Sequence, residues 1–507
     1  MGDIMKKLIS ILLSVVIMLS LTISVSAINY EQPFDKGTLD CELYRIPAIY
    51  TLTDGTVVAA ADMRYNHGSD SPNNLDTLVA TSKDGYTNWE YNVINRFDDY
   101  AESETDAGSA SFIDSALGQS NETGRVFIVT DAYPSDGGVL NSEKGTGYTT
   151  VGTKSFLSLK KKSEDNFNYY VSDFTSGFAD IVELSTNEKT EYTVDSEYKI
   201  YKNGEPVTMK QVGSEKNIQQ SVFYKDSDFT VLCTTYLWLR YSDDNCKTWS
   251  KPVILNPMIK GDDGFLGVAP GRMTTVEVDG HERIIFMVYT HSKSGKESVC
   301  TIYSDDNGIT WNRGETVKHT LAVGKTSESQ IVKLNDGILR MFCRNKGDFV
   351  AYCDSTDGGI TWSKAHAEKE LPARGNCMLS FINTSKTVDG KKVILGSFAS
   401  NQFERADGVV KVGLLGNDNS IEWVNTYHVT DSFFAYSCLT ELSDGSFGYL
   451  YEDEPAHISY AVLELNDKGE LSEINGNNID FKKESEKGIK VFLKNAKAKL
   501  QQFFRVF

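Results

Sequence analysis

Metal chemistry in this chain would have to be built from eight cysteines and seven histidines, and their spacing argues against it. Cys41, Cys233, Cys246, Cys300, Cys343, Cys353, Cys377 and Cys438 stand apart without CxxC pairs or flanking histidines, so no zinc site is expected. Most of them are expected to pack in strands. The chemistry that remains belongs to arginine, tyrosine and carboxylate. A guanidinium is always protonated and offers paired donors that fit a carboxylate. A phenol can attack an electrophilic carbon when a neighbouring base takes its proton, and a carboxyl group can deliver or accept a proton. Singly, none of these types is diagnostic. An arginine at a strand end is ordinarily an ion-pair partner, most of the 25 tyrosines pack, and a loop aspartate such as Asp70, beside Ser71 and Pro72, ordinarily serves a turn. The net charge of −19 argues against a nucleic-acid partner, and any anionic substrate would need a local cationic site.

The elements that must position such groups announce themselves through a repeated phrase, SxDxGxTW, which five of the six tryptophans close. Two copies are complete: Ser304, Asp306, Gly308, Thr310, Trp311, and Ser355, Asp357, Gly359, Thr361, Trp362. Ser242, Asp244, Thr248 and Trp249 frame a copy with Cys246 in the glycine position. Ser82, Asp84 and Trp89 frame another, read with Tyr86 for the glycine and Asn88 for the threonine. Asp418 and Trp423 mark a fifth, degenerate copy. Asp and Ser can bond a tight turn, Gly accepts positive φ, and Trp seals the turn against the sheet beneath. Short β-rich runs such as residues 298–303 and 330–334 flank the copies, so the repeating unit is a small antiparallel sheet. Repeated sheets of this kind predict an all-β, six-bladed β-propeller, with the phrases themselves as scaffold.

The rest of the chain divides around that unit. Residues 1–27 read as a secretory signal, with Lys6 and Lys7, an apolar run from Leu8 through Leu19, and Val25, Ser26, Ala27 as a cleavage site. A membrane anchor is the alternative, because the run is near spanning length. Residues 28–465 are assigned to the propeller. From about 154 to 220 the phrase disappears and short polar strands take over, with a hairpin turn at Asn203 and Gly204, which predicts an inserted small β subdomain on the rim. Residues 466–507 read as a polar linker and a basic amphipathic tail. There Ile489, Leu493, Ala496, Leu500, Phe503 and Phe507 fall at helical spacing among lysines, predicting a C-terminal amphipathic helix that docks on the propeller or lies on an anionic cell surface.

Several segments are more specific than the turn phrase. They are Tyr44, Arg45, Ile46, Pro47; Asp62, Met63, Arg64 followed by Asp70, Ser71, Pro72; Ser327, Glu328, Ser329, Gln330 with Arg344 beyond; Arg405, Ala406, Asp407, Gly408; and Tyr436, Ser437, Cys438, Leu439. Together, from about Tyr44 to Glu452, they resemble the bacterial exo-α-sialidases (neuraminidases) of glycoside hydrolase family 33. The resemblance implies that Arg45, Arg344 and Arg405 clamp the carboxylate of sialic acid. Tyr436 would be the nucleophile, with Glu328 accepting its proton, and Asp70 the general acid and base. Arg64 and Asp114 would read the hydroxyl at C4, and Ile113 would line the N-acyl pocket. A phenol suits this substrate, because a carboxylate nucleophile would approach the like charge beside the anomeric carbon, and sialidases are an exception to the two-carboxylate rule. Trp238, outside every phrase, would stack on an aglycone sugar or fill a blade.

The reading is a secreted retaining exo-α-sialidase that cleaves terminal sialic acid from glycans, glycoproteins or glycolipids through a covalent tyrosyl intermediate, with no metal or organic cofactor. The tail adds an expectation of cell-surface association. A trans-sialidase, intramolecular or intermolecular, would use the same residues. A non-catalytic sialic-acid-binding propeller would have lost Asp70, Tyr436 or Glu328, and all three are present.

Overall fold

The computed structural model describes residues 30–474, apart from 66, 105–107, 292–296 and 374–375; the expected signal and the expected C-terminal helix lie outside the described residues. Between Glu31 and Glu473 the chain forms one compact body whose described residues build eight sheets, six of them blades and two belonging to an inserted segment. Blade I comprises Leu43–Thr51, Val57–Arg64, Leu75–Ser82 and Glu90–Asn95, hydrogen-bonded in that order. Blade II comprises Ser111–Gln119, Val126–Tyr133, Tyr236–Ser242 and Val253–Ile254. In blade III the first strand is split into Phe265–Val268 and Thr274–Val278, both pairing with His281–His291, followed by Glu297–Ser304 and Asn312–Arg313. Blade IV is Thr326–Lys333, Leu339–Asn345, Phe349–Ser355 and His366–Pro372. Blade V is Ser380–Val388, Lys391–Ala399, Ala406–Leu415 and Ile421–Phe433, and blade VI is Ser437–Glu441, Phe447–Glu454, His457–Leu465 and Leu471–Glu473.

Burial follows position in the blade. Val57–Arg64, Ser111–Gln119 and Val126–Tyr133 are buried at every residue, because a sheet packed between neighbours has no wet face. The outer strands Glu90–Asn95 and His366–Pro372 are largely exposed. The ring closes by side-chain contacts between blades I and VI: Tyr460 donates its hydroxyl to the Gly85 carbonyl at 2.6 Å, Trp89 meets the Tyr460 ring edge-on at 5.9 Å, and Tyr86 donates to Asp444 at 2.7 Å.

The turn phrases connect the third and fourth strands. In the copy at 304–311, Ser304 accepts the Gly308 amide at 2.8 Å, and Asp306 accepts the Thr310 amide and hydroxyl at 2.8 and 2.6 Å. Trp311 seals more than its own turn, since it lies between Phe127 of blade II and Phe286 of blade III. The copy at 82–89 differs from the sequence reading. Its glycine is Gly85, at φ 78° with its amide on Ser82, and its threonine is Thr87, whose amide donates to Asp84 at 3.0 Å. One residue has been lost before the glycine and one gained before Trp89, so the phrase kept its chemistry and changed its spacing.

The inserted subdomain is wider than composition suggested. Its main sheet runs from Tyr148 to Thr230, entering after Val126–Tyr133 and returning before Tyr236–Ser242, so it interrupts blade II midway. At the other end, the polar residues after Leu465 are a turn, Asn466 to Gly469, that leads into the outer strand of blade VI, so the propeller continues to Glu473. Trp238 is 1% exposed and packs against Phe97, Phe112, Tyr198 and Phe223, so it fills the seam between blade II and the insert.

Candidate active site

Strand order decides which face carries chemistry. The first strand of blade I leads into the turn before Val57, and its third ends at the Ser82 phrase turn, so both turns share one face. Arg45, Arg64 and the loop bearing Asp70 lie at the opposite ends of those strands. By the same topology Tyr436 and Glu328 head the inner strands of blades VI and IV, and Arg344 lies at the end of the second strand of blade IV. The insert leaves blade II on this face as well. Burying Asp62, Arg64, Asp114, Asp131, Glu328 and Glu452 in the apolar inner strands is costly unless they pair, and that concentration of ionisable groups is itself a mark of function.

Tyr436 sits at the centre. Its hydroxyl donates to Glu328 Oε1 at 2.6 Å and accepts from Arg344 Nη1 at 2.9 Å, and the same Nη1 contacts Glu328 Oε2 at 2.5 Å. Arg344 Nε donates to Asn376 at 3.2 Å, fixing the fork. The guanidinium carbons of Arg45 and Arg405 lie 5.4 and 5.5 Å from the centre of the Tyr436 ring. Three arginines from blades I, IV and V thus converge on one phenol. Burial and the charge of Glu328 push the Tyr436 hydroxyl well above its ordinary value, against the pull of Arg344. Of the two side chains in contact with that hydroxyl, Glu328 is the one able to accept its proton.

Arg45 is aimed from behind. Glu452, with no exposed surface, accepts from Arg45 Nε and Nη2 at 3.2 Å each and from the Ile46 amide at 2.9 Å. Ile46 has φ 59° and lies in the register break between Arg45 and Ala48, a bend that Pro47 follows. Asp70 stands in the loop after Val57–Arg64, its side chain 64% exposed, accepting from Arg64 Nη1 at 2.7 Å and Arg45 Nη1 at 3.2 Å. Desolvation by the surrounding cleft walls pushes its carboxyl up, but Arg64 and Arg45, with Arg405 beyond, outweigh this and hold it below the ordinary range. Asp70 is therefore ionised in the free protein.

Asp114 lies inside Ser111–Gln119, at φ 61°, where the register breaks between Ile113 and Ser115. The bulge is what turns its side chain off the strand's alternation. Burial, with Asp62, Glu328, Asp131 and Asp70 nearby, pushes the Asp114 carboxyl well above its usual range. Ile113 is 5% exposed and packs with Leu75, Tyr133 and Phe265, partly covered by Tyr289. All nine residues singled out in the sequence lie on this face or in the inner strands directly beneath it.

Three residues on this face have no role among those the resemblance implies. Glu452 and Asp62 interrupt buried apolar strands with a charge, which is a readable signal, and Tyr289 feels the charges of Glu328 and Asp114. Among the described residues, no group of three or more His, Cys, Asp or Glu could hold a metal ion. The arrangement can bind a carboxylate, deliver a phenol oxygen to a carbon beside it, and move protons at two separate carboxyl groups.

A family model for BNR repeat-like domains matches residues 182–449. The anhydrosialidase of Macrobdella decora is 33% identical over 83% of this chain and 59% of its own length, so the chain spans about three fifths of that relative. The intramolecular trans-sialidase of Ruminococcus gnavus, solved with oseltamivir carboxylate, is 33% identical with a TM-score of 0.78, covering 85% of this chain and 96% of that one. The NanB sialidase of Streptococcus pneumoniae is 28% identical with a TM-score of 0.77, covering 86% of this chain and 71% of that one.

Proposed function

Because the chain belongs to the sialidase family, glycoside hydrolase family 33, we propose that it cleaves terminal sialic acid from glycoconjugates with retention, through a covalent bond to Tyr436. The observation that carries this reading is the Tyr436 hydroxyl held between Glu328 and Arg344. In it, the substrate carboxylate takes the donors of Arg45, Arg344 and Arg405, which places the anomeric carbon over the phenol. Glu328 accepts the phenol proton as the carbon–oxygen bond forms, and Arg344 steadies the developing phenolate charge. Asp70, protonated in the complex, gives its proton to the leaving oxygen and then serves as base for the group that captures the sugar. We also propose export, on the strength of residues 1–27.

A second reading concerns that capture. Water gives free sialic acid, whereas a hydroxyl of the bound sugar gives an anhydro sugar; the two relatives at 33% identity, an anhydrosialidase and an intramolecular trans-sialidase, favour the latter. Product analysis of a sialoside incubated with wild-type protein and with Tyr436→Phe tests both. Free sialic acid supports hydrolysis and an anhydro product supports intramolecular transfer. Retained binding without any product would leave a sialic-acid-binding propeller and sink the enzyme reading.

A further inference from the structure

Arg64 has one charge and two carboxylates to satisfy. Asp62 and Arg64 are two residues apart on Val57–Arg64, so both side chains leave the strand on one face, and neither has any exposed surface. Arg64 Nη2 donates to Asp62 Oδ2 at 2.9 Å, while Nη1 donates to Asp70 Oδ1 at 2.7 Å and to the Gly68 carbonyl at 2.8 Å. The other oxygen of Asp62 accepts the Asp114 amide from blade II at 3.2 Å, at the bulge where Asp114 takes its left-handed conformation. One buried carboxylate therefore holds the guanidinium against the Asp70 carboxylate and the backbone of a second site residue.

We propose that Asp62 is a positioning residue, which fixes the Arg64 fork and limits how much of its charge acts on Asp70, and so keeps Asp70 able to carry a proton when substrate is bound. This rests on the sialidase reading above. Asp62 faces Arg64 and Asp70 from its own blade, Arg45 from the first strand, and Asp114 and Asp131 from blade II. Asp70 faces Arg64, Arg45, Arg405, Asp62, Asp114 and Tyr133. Burial pushes the Asp62 carboxyl above its ordinary value, against the pull of the Arg64 guanidinium 2.9 Å away. Removing that charge altogether leaves Arg64 wholly to Asp70 and deletes a repulsive neighbour. Both changes favour Asp70 ionised, which depletes the acid form that a poor leaving group requires.

The test compares Asp62→Asn with wild type on sialyllactose and on an aryl sialoside whose phenol leaves with little help from an acid. Expected is a turnover of sialyllactose that falls about tenfold relative to the aryl sialoside, with the alkaline limb of its kcat profile about one pH unit lower, the shift one neighbouring charge commonly produces. Asp62→Glu, which restores the charge, is expected to return the limb toward wild type. Equal losses on both substrates with an unmoved limb would mark a merely structural residue and overturn the proposal. If Asp62→Asn does not fold, Arg64→Lys asks the same question, because an ammonium cannot span the two carboxylates as a fork does; an unmoved limb there is equally fatal. Wild-type protein inactive on both sialosides would instead defeat the underlying reading.

Discussion

Glu452 is where geometry makes its sharpest demand. Glu452→Gln preserves shape and the acceptor for the Ile46 amide, but it sets an amide N–H against Arg45 Nη2, which now contacts Glu452 Oε2 at 3.2 Å. Breaking a buried ion pair costs about 3–5 kcal/mol. The lower end applies, because Arg45 is 13% exposed and keeps Asp70 at 3.2 Å. Function should suffer separately. A guanidinium no longer aimed loses one charge-assisted bond to the substrate carboxylate, about 1.5–3 kcal/mol, or about ten- to a hundredfold in affinity. Urea unfolding reads the first quantity, and inhibition by free sialic acid alongside KM for an aryl sialoside reads the second. KM and Ki should rise together while kcat changes less, since the interaction belongs to ground state and transition state alike. A folded Gln variant with unchanged Ki would refute the view that Glu452 aims Arg45.

Tyr436→Phe should fold, because Arg344 and Glu328 remain paired at 2.5 Å, yet turnover should fall about a thousandfold or more with inhibitor affinity little changed; activity within tenfold of wild type would remove Tyr436 as nucleophile. Gly308→Ala puts a Cβ 2.5 Å from Phe127 at φ 82°, which should cost about 2 kcal/mol or more in urea unfolding. KM should stay put, because the phrase lies on the face away from the site; a changed KM would contradict the scaffold role. Asp62 and Asp76 are raised by burial to about 7 and Asp99 to about 6, from an ordinary 3.8. Between those values the native state binds more protons than the unfolded chain, so stability falls as pH rises through that window. Urea midpoints at pH 5 and 7.5 check this, and greater stability at pH 7.5 would show the opposite linkage.

Repetition made the propeller legible, because each turn phrase is a local hydrogen-bonding unit whose residues lie within one hairpin. Its limits were equally local. A fixed spacing points to Tyr86 in the glycine position, whereas Ser82 and Asp84 need only a reachable amide, which Gly85 and Thr87 supply. Asn466 to Gly469 read as a linker because a polar turn and a polar tail have the same composition. In the site, the arginines, Asp70, Glu328 and Tyr436 were found through contiguous family-like segments. Glu452 was missed because its partner is 407 residues away. The bulge that puts Asp114 at φ 61° is encoded by no residue pattern, so its orientation was not legible in the sequence.

The ion pairs already made by Arg45, Arg64 and Arg344 constrain how the site can work. Asp70 occupies donors of Arg45 and Arg64, and Glu328 occupies Arg344. On the proposed function, an incoming carboxylate would compete with Asp70 for Arg45, with Glu452 keeping that guanidinium in place while Asp70, on its exposed loop, can yield. Each donor surrendered to substrate also withdraws the positive charge that kept Asp70 ionised, and the substrate adds a negative one. Both changes raise the carboxyl toward the range where it holds a proton. On the proposed function, binding an anion and arming the acid are thus one event. The free-enzyme pKa of Asp70, seen in kcat/KM, should accordingly lie below that of the complex, seen in kcat. Neutral ligands that fill the pocket without a carboxylate would leave the acid unarmed, so on the proposed function the arginines that hold substrate would also withhold catalysis from sugars lacking its charge.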